Sequence, residues 1–163
     1  MHYKEIKNLL PLEEFLKIQK FFTSTNMPWY YNKHQTDAND SSFFSHKLYY
    51  NSEVTTYDYI WKKVIPIVDK INPSKLIRGK ANLTINKGKV DYCNYHVDAE
   101  EEHMVGVYSI TTCNGFTSLG IEDKIRVKCE ENKLLIFDGK IPHSVVSQTD
   151  KDQRIVINFN FIK

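Results

Sequence analysis

The chain has 163 residues, the size of one domain and enough to bury a core without disulfides or a structural metal. Hydrophobic residues at 41% and charged residues at 26% are globular values that exclude a disordered or fibrous chain, and ten Tyr with nine Phe favour a β-rich interior. The net charge of +2, from 22 basic and 20 acidic side chains, excludes nucleic-acid binding by bulk electrostatics and leaves only a local basic groove open.

The opening segment MHYKEIKNLL lacks the continuous apolar stretch and cleavage site of a secretory signal. No apolar run in the sequence is long enough for a membrane span, so a cytoplasmic protein is expected. Pro11 suits a first helical turn, after which Leu12, Phe15, Leu16 and Ile18 to Phe22 recur at roughly helical spacing. Trp29 to Asn32 and Phe43 to Tyr50 read as short strands or ordered loop. A second helix is expected from about Ser52 to Ile71, with Tyr57, Ile60, Trp61, Val64 and Val68 as its apolar stripe and Pro66 bending or shortening it. Residues 1–75 thus read as mostly helical support.

From Leu76 onward short strands follow one another: LIRGKANLTI, HMVGVYSITT, GFTSLGI, KIRVKC, KLLIFD, HSVVSQ and RIVINFNFI, parted by NKGK, CNG, EENK, DGKIP and TDKDQ. This spacing indicates an antiparallel sandwich or jelly roll. In the last strand Ile155, Ile157, Phe159 and Phe161 point one way, and Arg154, Val156, Asn158 and Asn160 the other. The polar row is either solvated or, if helices back the Ile/Phe face, turned into a cavity between two sheets. No repeat or linker divides the chain, so residues 1–163 are read as a single domain.

His96-Val97-Asp98 places an imidazole and a carboxylate on one side of an extended segment. His143, in IPHSVV after the strand KLLIFDG, can bring a third donor from a neighbouring strand. Two neutral imidazoles and one carboxylate form the facial set that leaves positions open on non-haem iron(II). Arg154, eleven positions beyond His143, carries a planar fork suited to a carboxylate in a partly dry cavity. Taken singly, an H-x-D, a distal His and an Arg opening a strand are each commoner as ordinary structural or solvated residues; their order along the chain is the specific signal.

Here the chain resembles the 2-oxoglutarate and iron(II)-dependent dioxygenase superfamily, particularly its small prolyl-hydroxylase-like members, including those carried by bacteriophages. The matching residues are His96-x-Asp98, then Asn114-Gly115-Phe116-Thr117, then Leu135 to Gly139 leading to His143-Ser144, then Arg154 to Asn160. They span about residues 76 to 162; the half before them matches only in being helical. The resemblance implies an α+β, mainly β chain: a double-stranded β-helix, or jelly roll, over 76–163, backed by N-terminal helices. It implies iron(II) on His96, Asp98 and His143, 2-oxoglutarate as co-substrate on Arg154, and oxygen as oxidant, with ascorbate supporting turnover. Asn82 and Tyr108 are further candidates for co-substrate contact, Tyr108 being equally suited to core packing. Tyr92 and Tyr95 flank the iron motif and are candidates for lining the substrate mouth or for merely covering the barrel end.

The implied reaction is decarboxylation to succinate and carbon dioxide coupled to oxidation, usually hydroxylation, of a substrate. A peptide or protein side chain is the first expectation. Alternatives are nucleic-acid or small-molecule oxidation on the same site, or a non-enzymatic jelly roll that keeps metal for stability, against which the intact Arg154 argues. For a phage-encoded chain the address is the host cytoplasm. His103 follows the acidic run Glu100 to Glu102 and is read as lying outside the metal site; His2, His34 and His46 are read as structural. Cys93, Cys113 and Cys129 lack C-x-x-C spacing and are read as reduced thiols.

Overall fold

In the computed structural model, residues 2–35, 38 and 40–163 are described. The elements in chain order are β1 (Tyr3–Lys7), α1 (Leu12–Phe22), β2 (Tyr30–Asn32), β3 (Phe43–Tyr50), β4 (Glu53–Val54), α2 (Asp58–Ile71), β5 (Lys75–Ile85), β6 (Met104–Ser109), β7 (Cys113–Leu119), β8 (Ile125–Cys129), β9 (Lys133–Asp138), β10 (His143–Val146) and β11 (Gln153–Ile162). The large sheet runs β1-β9-β6-β11-β5-β3-β2, with β4 paired to β3, and the small sheet runs β10-β7-β8; all pairings are antiparallel. This is the jelly-roll arrangement, mainly β with two helices. No described helix is long and apolar enough to cross a membrane.

Both helices form where an apolar stripe at helical spacing meets an outward polar face. In α1, Phe15, Ile18 and Phe22 are buried while Glu13 and Lys17 pair one turn apart on the solvent side. In α2, Ile60, Val64 and Ile67 are buried, and Asn72 ends the helix in the left-handed conformation with its N–H donating to Val68 O. One expectation needs correction here. The second helix begins at Asp58, not Ser52, because Glu53 and Val54 pair with Tyr50 and Tyr49. Its end at Ile71 is as expected, and Pro66 does not shorten it, since burial of Ile67 secures the turn beyond the proline and the carbonyl that loses its donor belongs to exposed Lys62.

Residues 1–75 are not mostly helical either. The helices take 11 and 14 of them, while β1 and β3 extend the large sheet through β9 and β5. In β1 only Ile6 packs inward, so its five residues carry too little alternation to read as a strand.

Two cores follow from the layering. Ile155, Ile157, Phe159 and Phe161 of β11 pack with Phe15, Phe22, Ile60 and Val64, so the helices cover that face of the large sheet. Val105, Val107, Phe137 and Val156 pack with Leu119 and Val127 of the small sheet to form a second core between the sheets. Arg154, Val156 and Asn158 line a cavity on this inner side, which is the two-sided burial expected of the last strand. Asn132 connects the helix-side core to the loop before α1: its side-chain oxygen accepts from Leu10 N (3.0 Å) and Tyr108 Oη (2.8 Å), and its amide donates to Leu10 O (2.8 Å). Asn132→Ala strands three buried polar groups and replaces a residue at φ 54°, so a loss of about 3 kcal/mol or more is expected. Urea unfolding checks it, with Tyr108→Phe, which removes one bond, expected to lose about 1 kcal/mol.

Candidate metal centre and co-substrate cavity

The candidate metal donors come from two segments drawn together by backbone. His96 N donates to His143 O at 3.1 Å and His143 N to His96 O at 2.9 Å, a single antiparallel bridge that sets the two rings 4.5 Å apart. Each ring is turned by the same local device. His96 Nδ1 meets Asn94 O at 3.0 Å, and His143 Nδ1 meets Ile141 O at 3.1 Å. A carbonyl only accepts, so Nδ1 carries the hydrogen and each Nε2 keeps its lone pair for a metal. Asp98 completes the set, and one ligand atom from each of the three lies within 4.8 Å of the others. Among the described residues no other group of three His, Cys, Asp or Glu side chains is so arranged.

Asp98 is itself held. Its Oδ1 receives Arg78 Nη2 at 2.8 Å, its Oδ2 receives Asn160 Nδ2 at 2.8 Å, and Arg78 Nε donates to Asn160 Oδ1 at 2.9 Å. Burial opposes the charged carboxylate, but Arg78, Asn160 and His143 outweigh it and bring the pKa down to about 2. Burial lowers the pKa of His143, with repulsion from His96 adding to it. Both effects favour the metal-binding forms, an ionised carboxylate and a neutral imidazole.

His46 is likewise lowered by burial; its ring nitrogens meet Pro28 O at 2.8 Å and Thr56 Oγ1 at 2.6 Å, which fits the structural role expected of it. Since His46 and His143 take up protons less readily folded than unfolded, the unfolded chain binds the extra protons in acid. Their contribution is therefore complete above the ordinary imidazole value of 6.5 and is lost as pH falls through and below it. Urea midpoints of metal-free protein should decline from pH 8 to pH 5, and His46→Gln should flatten that decline.

Beside the triad lies a cavity of about 280 Å³ whose lining includes His96, Asp98, Arg78, Lys80, Asn82 and Arg154. Its floor is a ladder of paired rungs: Arg154 opposite Thr84, Val156 opposite Asn82, Asn158 opposite Lys80, and Asn160 opposite Arg78. Arg154 is only 3% exposed, donates to Thr117 Oγ1 at 3.3 Å, and pairs with no carboxylate among the described residues. Its Nε, Asn82 Oδ1 and Asn158 Oδ1 are buried without a partner. A desolvated guanidinium with no counter-ion is unfavourable, and a ligand carboxylate in the cavity would offset it.

The expected residues therefore separate. His96, Asp98 and His143 meet, and Arg154 and Asn82 line the cavity that His96 and Asp98 border. Tyr108 does not: even positions of β6 face the helices, where Tyr108 is fully buried and donates to Asn132. Of the two roles expected of it, the structure places Tyr108 for core packing. Neither Tyr92 nor Tyr95 lines the cavity. Their hydroxyls bind Asp123 Oδ2 (2.8 Å) and Oδ1 (3.1 Å), fastening the segment before His96 to the turn between β7 and β8. His103 lies apart from the triad, with Nδ1 on Glu101 O at 2.8 Å and its ring against Gly139, where any Cβ would collide with it. Arg78 and Lys80 were missed, although the polar row at positions 78, 80, 82 and 84 repeats every second residue and is visible in LIRGKANLTI.

No protein-family model matches the chain, and no curated protein matches it in sequence. Solved structures do. An oxidoreductase of the 2OG-Fe(II) oxygenase family from Burkholderia pseudomallei superposes with a TM-score of 0.74 at 8% identity, covering 98% of this chain and 84% of that one. A prolyl hydroxylase from Trichoplax adhaerens, in complex with a hypoxia inducible factor peptide fragment, gives 0.70 at 12% identity over 98% and 83%. A prolyl-4-hydroxylase from Pseudomonas putida gives 0.62 at 10% identity over 99% and 92%. Over nearly its whole described length, the chain has the fold of the 2OG-Fe(II) oxygenases and prolyl hydroxylases.

Proposed function

We propose that the protein is an iron(II)- and 2-oxoglutarate-dependent dioxygenase that hydroxylates a peptide or protein side chain. The observation that carries the reading is a two-His-one-carboxylate set whose His96 and Asp98 line the same cavity as a buried arginine that has no carboxylate partner among the described residues. A site serving metal alone has no use for Arg154, whereas a dicarboxylate co-substrate needs a cation beyond the metal.

When bound, iron(II) and 2-oxoglutarate would supply the oxidative chemistry, with release of succinate and carbon dioxide. The residues supply the rest. His96 and His143 would present Nε2 to the metal, since their Nδ1 hydrogens are donated to Asn94 O and Ile141 O. Asp98 adds one negative charge, and Arg78 and Asn160 hold its orientation. Arg154, steadied by Thr117, would pair with the distal carboxylate, and the Asn82 and Asn158 amides border the space between it and the triad. The pocket's partly dry walls keep these charges strong.

A peptide or protein substrate is favoured because the Trichoplax neighbour, of the same fold, is bound to a peptide fragment. The test is succinate release by purified protein supplied with iron(II), ascorbate, oxygen and 2-oxoglutarate, with and without peptide pools. Succinate that depends on iron(II) and is raised by peptide supports the reading. Protein that binds neither iron(II) nor 2-oxoglutarate would overturn it.

A further inference from the structure

Lys80 belongs to none of the roles assigned above. It faces the cavity from β5, one rung from Arg78 and beside Asn158, yet its side chain makes no hydrogen bond or ion pair with any described residue. Its Nζ lies over the Phe43 ring, 5.3 Å from the centroid. Lys47 stands directly opposite it on β3 and brings a second cation rather than an anion. Burial lowers its pKa, and repulsion from Arg78 and Lys47 adds to that against Asp98, as expected of an ammonium that lacks a counter-ion.

Charge balance sharpens the point. Among the described residues lining the cavity, the cations Arg78, Lys80 and Arg154 face a single carboxylate, Asp98. Iron(II) and the 2-oxoglutarate dianion would cancel each other. Two positive charges would then remain in the loaded site. Arg154 is committed to the co-substrate and Arg78 to Asp98.

We infer that Lys80, carried on the rung next to Arg78 and bordered by Phe43, is the specificity residue for an anionic group, carboxylate or phosphate, on the substrate. The inference rests on the dioxygenase reading for the term substrate; the anion site itself does not. Neutral groups of the same shape would leave the ammonium desolvated and unpaired, so discrimination should be large.

The test is calorimetric titration of protein loaded with iron(II) and saturating 2-oxoglutarate, without oxygen, using two matched pairs: L-glutamate against its isostere L-glutamine, and O-phospho-L-serine against unphosphorylated L-serine. The anionic member of at least one pair should bind at least tenfold more tightly, and which pair responds separates carboxylate from phosphate. Lys80→Met should abolish the preference, and Lys80→Arg should keep it. Absence of a preference in both pairs, or its survival in Lys80→Met, overturns the assignment. So does a tenfold loss of 2-oxoglutarate affinity in Lys80→Met, which would make Lys80 a co-substrate residue. If wild-type protein takes up no 2-oxoglutarate, the dioxygenase reading falls on that control alone, and the same paired titrations still decide whether Lys80 is an anion site.

Discussion

Asp98→Ala should abolish tight iron(II) binding. Loss of a partner that only supports a ligand weakens metal affinity by about 10- to 100-fold, and Asp98 is placed as a ligand itself, so more than about 100-fold is expected. The substitution removes the one carboxylate among three donors that lie within 4.8 Å, and it leaves Arg78 Nη2 and Asn160 Nδ2 aimed at the vacated place. A cation would then meet a guanidinium instead of an anion. His96→Ala and His143→Ala should be similar in direction but lack this added repulsion. Anaerobic titration of iron(II) into each variant measures the effect. Wild-type affinity in any one of the three would remove that residue from the proposed triad.

Arg154→Ala should weaken 2-oxoglutarate binding by at least about 30-fold while leaving iron(II) affinity near wild type. Truncating one partner of a buried charge pair costs about 2–5 kcal/mol, and about 1.4 kcal/mol corresponds to each factor of ten. Arg154→Lys should recover only part of the loss, since a point charge on a flexible stem does not reproduce the planar fork. The ligand-free variant offers an internal control. Arg154 is 3% exposed, has an unpartnered Nε and has no carboxylate pair among the described residues. Its removal should therefore leave stability unchanged or raised. Unchanged 2-oxoglutarate affinity would move the carboxylate site to another cation of the cavity, and Lys80 would be the first to examine.

The parts of the fold that the sequence announced were those governed by a strict period. Alternation in RIVINFNFI correctly separated Ile155, Ile157 and Phe159, which pack on the helices, from Arg154 and Asn158, which border the cavity. The meeting of His96, Asp98 and His143 was legible because H-x-D is local and His143 follows a recognisable strand. Tyr108 was left between two roles because a phenol within an apolar strand suits either face, and only the register of β6 against β9 and β11 decides between them. The contacts of Tyr92 and Tyr95 were not legible because their partner, Asp123, lies some thirty residues on, in a turn whose position depends on how the small sheet closes. The Arg78–Asp98–Asn160 bridge joins three segments far apart in the chain. No local pattern encodes such a meeting, though the polar row of β5 held the clue to one side of it.

The first strand has a role in solubility as well as in architecture. β9 is the stretch KLLIFD, in which Leu134, Leu135 and Phe137 are buried, and β1 is paired along the whole of it from Tyr3↔Phe137 to Lys7↔Lys133. Peeling β1 away would expose an apolar row of free N–H and C=O groups, a template on which a second copy could add a strand and begin to aggregate. It would also strip Lys133 of Glu5, its 2.8 Å partner across the pair. The terminating strand resists the same fate by its own composition: it is five residues long, and Lys4, Glu5 and Lys7 stand in solvent along it. Charge on so short an edge makes a poor seam for further strands.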